Sequence, residues 1–375
     1  FKQKTAYEIY RCDWSSDVCS SDLLLRIGVP ITLAGGGMSL MTLLDQSLVL
    51  GTLQARLGLS AEAAAELYGQ YTFGMTLFQL PPSFIYPLSV SLIPAITQAR
   101  SRRDETAAGR LTASALRITA LLAFPMGAGL SVLAGPILQL LYPAVPETAQ
   151  AAAYHLTVLG IASIFVCLMV ATNGILQANG RENIPIWTLL AGGALKIVTN
   201  YLMVGDPATN VRGAPVSTLY CYALIVVLNL INSRSGRAIM AIRDNRIAAE
   251  SVGLSVTRYK LAVFVIAAFF AGCAGVLYGH SLANIKAAAF DYNMSIEILV
   301  IVVLGGMGSV PGSVISAIVL TVLPEALREV ADYRMLVYAI VLILVMQATN
   351  NPAMKRFFGS LREKLTPKGK ERAAL

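Results

Sequence analysis

The stretch NSRSGRAIMAIRDNRIAAESVGLSVTRYK, residues Asn232–Lys260, is the one long polar segment between two apolar halves of this chain. Its basic residues outnumber its acidic residues by six to two. Such an excess of Lys and Arg beside apolar runs is typical of cytoplasmic loops of membrane proteins. Within the stretch, Ala238–Val252 carries apolar residues at helical spacing, which predicts a single helix. This helix could rest on anionic lipid, or it could dock a cytoplasmic partner.

The composition of the whole chain indicates a membrane protein. Hydrophobic residues make up 56% of the sequence and charged residues only 13%, whereas a soluble domain carries roughly a quarter charged residues. The sequence therefore predicts an all-α polytopic membrane protein with about ten spans of ~20 residues each. The predicted spans are Ile27–Leu50, Tyr71–Ile96, Leu111–Leu133, Tyr154–Leu176, Ile184–Val204, Ala214–Ile231, Leu261–His280, Ile296–Gly305, Ser313–Leu327 and Leu336–Gln347.

The positions of the basic clusters predict the topology. Even numbers of predicted spans separate Arg100–Arg117, Asn232–Lys260 and the basic tail that begins at Lys355, so all three can lie on the cytoplasmic side. The N-terminus and the C-terminus are then both cytoplasmic. The net charge of +8 is explained by this topology, and an aromatic-studded nucleic-acid surface is not indicated.

Motifs for catalysis or metal binding are not found in the sequence. The two histidines lie far apart, and neither an HExxH nor a CxxC pattern occurs. The glycine-rich run Gly305–Ser309 lacks the lysine of a phosphate-binding loop, so it is interpreted as a tight turn between helices. The sequence thus predicts no enzyme, no metal and no cofactor.

Four polar residues inside apolar runs are candidates for a transport cavity. Lys196 lies near the middle of a predicted span, and Asn200 follows one turn later on the same helix face. A lysine deep in a bilayer is costly unless it pairs, reaches the interface or lines water, so a functional role is the first hypothesis. The alternative is a lysine that reaches the interface or bonds a backbone carbonyl. Asp45 and Asn173 complete the candidate group.

The second half of the chain resembles the LivM-type permease of branched-chain amino acid ABC transporters. The similar stretches are AIRDNRIAAESVGLSVTRYKLAVFVIAAFFAGCAGVLYGH (Ala241–His280), FDYNMSIEILVIVVLGGMGSVPGSVISA (Phe290–Ala317) and LPEALREVADYRMLVYAIVLILVM (Leu323–Met346). The resemblance implies a bacterial inner-membrane location and three partners, namely a cytoplasmic ATP-binding subunit, a second permease subunit and an extracytoplasmic binding protein. It also implies that the helix before Gly253 fits a cleft of the ATPase, with contacts from Arg243, Ala248, Ala249, Glu250 and Gly253.

The first half resembles a different group of transporters. FQLPPSFIYPLSVSLIPAITQA (Phe78–Ala99) and ILQANGRENIPIWTLLAGGALKIVTNYLMV (Ile175–Val204) are similar to the C-terminal half of a polysaccharide-biosynthesis exporter of the stage V sporulation protein B type. That group belongs to the lipid II flippase superfamily. The resemblance implies a lipid-linked saccharide as cargo, and it implies that Lys196 and Asn200 face the central cavity.

Together these resemblances predict a chimaera. Residues 1–23, with KQKTAYE and DWSSDVCSSDL, resemble a translated sequencing adaptor, although a genuine polar tail is the alternative. Residues 24–222 then form a flippase-like lobe, residues 223–358 a permease-like region with the coupling loop 232–260, and residues 359–375 a basic tail. The seam is placed at Ala223–Leu230, with few long-range contacts expected across it. As one chain the product is predicted to be non-functional, and a natural gene fusion is the alternative.

Overall fold

The structure, a computed structural model, describes residue 39 and residues 41–181, 183–207, 209–281, 290, 292–306 and 308–326. All regular structure in these residues is helical, which confirms the predicted all-α polytopic membrane fold. A short 3₁₀ turn, Asn210–Arg212, precedes α8. The helices are α1 (41–57), α2 (Ala61–Phe78), α3 (Leu80–Ser101), α4 (Glu105–Val132), α5 (Ala134–Leu141), α6 (Pro146–Ala178), α7 (Asn183–Met203), α8 (Gly213–Asn232), α9 (Arg234–Asp244), α10 (Arg246–Ser251), α11 (Val256–Ser281), α12 (Tyr292–Leu304) and α13 (Val310–Ala326).

Within the described residues, six helical segments are long and apolar enough to cross a membrane, and α12 and α13 contribute two shorter apolar segments. The predicted span Leu336–Gln347, the adaptor-like residues 1–23 and the tail 359–375 lie outside the described residues. The second predicted span began at Tyr71, but the helix begins ten residues earlier. Ser60 caps it there, since its side chain accepts a hydrogen bond of 3.2 Å from the amide of Ala63.

Prolines shape the segment that continues from α2. Pro81 and Pro82 occupy the first turn of α3, where the missing N–H groups cost no intrahelical hydrogen bond. Pro87 and Pro94 lie inside α3, and Pro125 lies inside α4. Each removes one hydrogen bond of its helix.

The core is organised around α6, whose buried residues run from Ala149 to Ala178. Glycines let neighbouring helices approach it and one another. A Cβ on Gly127 would lie 2.7 Å from the carbonyl oxygen of Gly160, and a Cβ on Gly192 would lie 2.6 Å from Ile225 Cγ1. At Gly129, by contrast, an added Cβ would meet no atom of the described residues within 4 Å. Gly129 faces away from the neighbours of α4.

The described residues fall into two compact units, one ending at Leu277 and one beginning at Tyr278. In the second unit, α12 and α13 are joined through Gly306 and Gly308, whose φ angles of +87° and +98° favour glycine. A Cβ on Gly305 would lie 2.5 Å from the Cα of Ser313, so the two backbones touch. The predicted tight turn between helices is therefore confirmed.

The predicted seam Ala223–Leu230 lies inside the continuous helix α8, and both of its sides belong to the first unit. Phe269 of α11 packs against Phe124 and Phe165, with ring centroids 5.2 Å and 5.6 Å away. These contacts join residues that follow the seam to residues that precede it. That two families meet in α8 stays a prediction.

Candidate functional site

A buried carboxylate connects four helices of the first unit. The Nζ of Lys196 lies 3.1 Å from Oδ1 of Asp45, and the side-chain amide of Asn200 donates to the same oxygen at 3.1 Å. The hydroxyl of Tyr71 donates to Oδ2 at 2.7 Å. The side chains of Asp45 and Lys196 are 0% and 4% exposed. The structure thus brings together three of the four candidate cavity residues, and Lys196 and Asn200 share a helix face as predicted.

Two hydroxyl groups of α8 complete this network. Ser217 donates to the side-chain oxygen of Asn200 at 2.8 Å, and the oxygens of Thr218 and Tyr71 lie 3.3 Å apart. Tyr71, Ser217 and Thr218 were not singled out from the sequence. Single hydroxyl groups in apolar helices are common, so the sequence holds no local signal for their partners.

The network satisfies a charge pair that is withdrawn from solvent. Asp45 receives hydrogen bonds from three donors, and this compensates in part for the desolvation of both charges. Lys196 is buried, and among the described residues it is not found to bond a backbone carbonyl; reaching the interface and bonding a carbonyl were the alternatives considered for it. In this arrangement the pair links α1 to α7, while Tyr71 links the same carboxylate to α2 and α8. A pair of this kind can lock helices together, and on opening it would present one carboxylate and one ammonium group.

His155 borders the network on α6. Its ring makes an edge contact with Tyr71 at a centroid distance of 5.9 Å, and it is 2% exposed. Its Nδ1 has no hydrogen-bond partner among the described residues. This histidine was not singled out from the sequence, because the residue it packs against lies on another helix.

Asn173 belongs to a separate network, in contrast to the other three candidates. The side-chain amide of Asn229 donates to Asn173 Oδ1 at 2.8 Å and to Thr172 Oγ1 at 3.1 Å, and Thr188 donates to Asn229 Oδ1 at 3.0 Å. These bonds join α6, α7 and α8 at the level of Asn229. Asn173 was grouped with Lys196 because both are polar residues in apolar runs. Sequence position alone could not separate the two levels.

The predicted helix Ala238–Val252 is interrupted at Asn245. The backbone of Asn245 is extended, with φ −152° and ψ 103°, and its side chain accepts a hydrogen bond of 3.0 Å from the amide of Ala248. Asparagine is a favoured N-cap because its side chain satisfies such an orphan amide. Two short helices, α9 and α10, therefore replace the single predicted helix.

Gly253 closes α10. Its φ of +83° lies in the left-handed region, and the amides of Leu254 and Gly253 donate to the carbonyls of Ala249 and Glu250 at 3.1 Å and 3.0 Å. This is the Schellman arrangement of a helix end. Ala249 packs in a small buried cluster with Ile242 and Val256. The cluster fixes α10 against α9 and the first turn of α11.

The remaining coupling candidates lie on the outside of this segment. Arg243, Ala248 and Glu250 are exposed, and Arg243 pairs with the neighbouring Asp244 at 2.8 Å. Two apolar residues, Ile247 and Val252, are 81% and 78% exposed. In one continuous helix over Ala238–Val252, Ile247 would lie on the apolar side with Ile239 and Ile242. In α10, Ile247 instead lies exposed, as does Val252 directly after the helix.

The sequence of this chain is similar to those of several known membrane proteins. A sequence model of the family described as "Branched-chain amino acid transport system / permease component" matches residues 23–346. The permease protein LivM of Salmonella typhimurium is 39% identical over 128 residues, which are 34% of this chain and 30% of LivM. The uncharacterized membrane protein YabM of Bacillus subtilis is 28% identical over 244 residues, 63% of this chain and 44% of YabM. The chain therefore spans less than half the length of either relative.

Among solved structures, similarity is found to transporters of the MATE family. An outward-facing MATE transporter of the MOP superfamily is 19% identical with a TM-score of 0.44, covering 56% of this chain and 44% of that chain. A MATE transporter in the bent conformation is 16% identical with a TM-score of 0.45, covering 87% and 76%. Similarity at this level carries no functional argument.

Proposed function

The chain belongs to the family of branched-chain amino acid transport system permease components, and we propose on this premise that it forms part of the membrane path of an ATP-driven importer. Family membership and the six apolar spans indicate a transporter rather than an enzyme. LivM, with which residues of this chain align, is a permease of a high-affinity branched-chain amino acid system. This supports leucine, isoleucine and valine as the cargo class and a bacterial inner membrane as the location.

The proposed importer requires three further components. A cytoplasmic ATP-binding subunit supplies the energy, a second permease subunit completes the path, and an extracytoplasmic binding protein delivers the amino acid. We place the contact with the ATP-binding subunit on α9 and α10, within the loop Asn232–Lys260. This assignment puts the loop and both chain termini on the cytoplasmic side.

The observation that carries this assignment is the construction of α10. Asn245 fixes its start, Gly253 fixes its end, and the cluster around Ala249 holds it against α11. A displacement of α10 would therefore be transmitted to α11, the membrane helix that begins five residues after it, at Val256. Arg243, Ala248 and Glu250 are proposed to contact the ATPase, Ala249 to support α10 from inside, and Gly253 to set its angle.

The exposed apolar residues of this segment provide the test. The double variant Ile247→Glu/Val252→Glu should lose association with the ATP-binding subunit of the Escherichia coli branched-chain amino acid system by at least about tenfold. The reason is that burying each aliphatic side chain at an interface contributes about 1.5–3 kcal/mol. Association is measured by co-purification of the two subunits from membranes, with quantification of the bound ATPase.

Thr257→Glu is the control for added negative charge, since it places one glutamate, against two in the double variant, on an exposed position of the first turn of α11. The control should retain association, and membrane insertion should be unchanged in both variants. Equal association of the double variant and the wild type would overturn the proposed contact.

Export of a lipid-linked saccharide by residues 24–222 is the second candidate function. It is favoured by the Asp45–Lys196 pair, a buried charge pair in apolar helices of the kind associated with transport. In a full-length exporter context, Asp45→Asn/Lys196→Met should abolish lipid-linked saccharide flipping while the fold is retained. Undiminished flipping by this neutral pair would exclude the two residues from the mechanism.

The two candidate functions coexist in one sequence if it is a chimaera, as the two resemblances predict. We propose that residues up to α8 and residues after it derive from different genes. Long-read sequencing of the source DNA across codons 215–240 tests this proposal. A single native read through α8 would establish a genuine fusion, and separate reads that diverge within codons 223–230 would support the chimaera.

A further inference from the structure

Four arginines converge where three connections between helices meet in the first unit. The guanidinium groups of Arg181 and Arg237 each donate to the backbone oxygen of Asn232 at 3.1 Å. Arg234 donates to Oε2 of Glu105 at 2.8 Å, and Arg100 lies 3.8 Å from the same oxygen. We call Arg100, Arg181, Arg234 and Arg237 the basic turn cluster. It joins the α3–α4, α6–α7 and α8–α9 connections.

Positive charge in this cluster exceeds what the described acidic groups can neutralise. Glu105 is shared by two arginines, and the carbonyl of Asn232 carries no charge to offset the other two. The Nε of Arg100 is buried and has no hydrogen-bond partner among the described residues. Arg237 is exposed, and slight desolvation together with the positive charges of Arg181 and Arg234 lowers its pKa. An anion at this place would satisfy the unused donor and relieve the repulsion between the guanidinium groups.

The neighbouring α3–α4 turn adds a further cation, Arg103, at a position whose backbone conformation disfavours a side chain. Arg103 adopts a left-handed conformation with φ +59°. The amides of Asp104 and Arg103 donate to the carbonyls of Ala99 and Arg100 at 3.0 Å and 2.9 Å, so Arg103 takes the place that glycine usually holds in a Schellman end. A residue with a side chain costs about 1–2 kcal/mol there. The sequence retains a positive charge despite this cost.

The location of the cluster indicates a lipid rather than a solute. Its arginines lie at the ends of membrane-length helices, or in the connections between them. Trp187, which is 71% exposed, is the fifth residue of α7, about 6 Å along the helix from its first residue, Asn183. Exposed tryptophans collect at the level of lipid headgroups. The arginines would then lie in the phosphate layer itself.

We propose that the basic turn cluster binds the phosphate headgroup of an anionic membrane phospholipid. Basic pockets between transmembrane helices bind such headgroups, and arginine can meet a phosphate with two parallel hydrogen bonds. The bound lipid would bridge the α3–α4, α6–α7 and α8–α9 connections. It would act next to α9, the first helix of the loop Asn232–Lys260.

The test uses the full chain reconstituted in nanodiscs of phosphatidylcholine, with phosphatidylglycerol titrated in as the probe. Native mass spectrometry of the released protein counts the retained phosphatidylglycerol. Arg181→Gln/Arg237→Gln should bind phosphatidylglycerol at least about tenfold more weakly than the wild type, since loss of a hydrogen bond between a guanidinium group and a phosphate weakens binding by roughly tenfold. Arg181→Lys/Arg237→Lys should recover most of the binding, because the charge is restored.

Arg246→Gln/Arg258→Gln is the matched control. Like the Arg181/Arg237 variant it removes two positive charges, here from exposed positions of the loop Asn232–Lys260. It should change phosphatidylglycerol binding less than twofold. Arg103→Gly is the variant that separates binding from folding, because it removes a charge while relieving the left-handed strain. It should weaken phosphatidylglycerol binding a few-fold and leave the thermal midpoint equal or higher.

Two outcomes would overturn the proposal. Equal losses in the Arg181/Arg237 and Arg246/Arg258 variants would show that general surface charge attracts the lipid. If millimolar inorganic phosphate displaced phosphatidylglycerol from the wild-type protein, the cluster would be a site for a soluble anion.

Discussion

Asp45→Ala is expected to destabilise the first unit by about 3–5 kcal/mol, because it leaves the ammonium group of Lys196 buried without a counter-charge. Lys196 is 3% exposed, so water cannot replace the lost carboxylate unless the helices separate. Asn200 and Tyr71 would lose their shared acceptor in the same step. Reversible unfolding in mixed detergent micelles, followed by tryptophan fluorescence, measures the change in the free energy of unfolding.

The double variant Asp45→Leu/Lys196→Met is the control that separates loss of charge from loss of packing. Replacing both members of a buried ion pair by apolar residues of similar volume is often neutral or stabilising. We therefore expect the double variant to regain most of the stability that Asp45→Ala loses. If Asp45→Ala unfolds at the wild-type denaturant concentration, Asp45 and Lys196 do not form the buried pair.

Gly127→Ala should destabilise the protein by about 1–3 kcal/mol, the range for overpacking a close helix contact. The added methyl group would lie 2.7 Å from the carbonyl oxygen of Gly160 and against the side chain of Ile164. Backbone atoms of α6 cannot move aside individually, so α4 and α6 must separate along their contact. The measurement is the thermal midpoint of the purified protein in detergent.

Gly129→Ala lies two residues further along the same helix and provides the comparison. An added methyl group there meets no atom within 4 Å in the part of the chain that the structure describes, and alanine is about 1 kcal/mol more favourable than glycine inside a helix. Its thermal midpoint should be equal to that of the wild type or higher. The same midpoint shift in both variants would show that α4 does not present Gly127 to α6.

Structural features with a local cause could be predicted from the sequence. Apolar runs of about 20 residues predict membrane helices because the bilayer requires them, and Lys196 and Asn200 share a face because four residues make about one helical turn. The interruption at Asn245 is also local, because an asparagine three residues before an amide it can cap is a recognised helix start. It was missed because the apolar spacing on both sides of Asn245 fits one continuous helix.

The sequence by itself determined the all-α membrane class, the polar break after α8 and the presence of ionisable groups inside apolar helices. Only the tertiary structure decided which of these groups meet. Asn200 and Asp45 are 155 residues apart in sequence, while Asn173, nearer to Asn200, belongs to another network. The tertiary structure also decided that Gly127, and not Gly129, lies at a helix contact. Hydropathy and helical period depend on neighbours along the chain, whereas pairing and close approach depend on how separate helices are rotated and placed against each other.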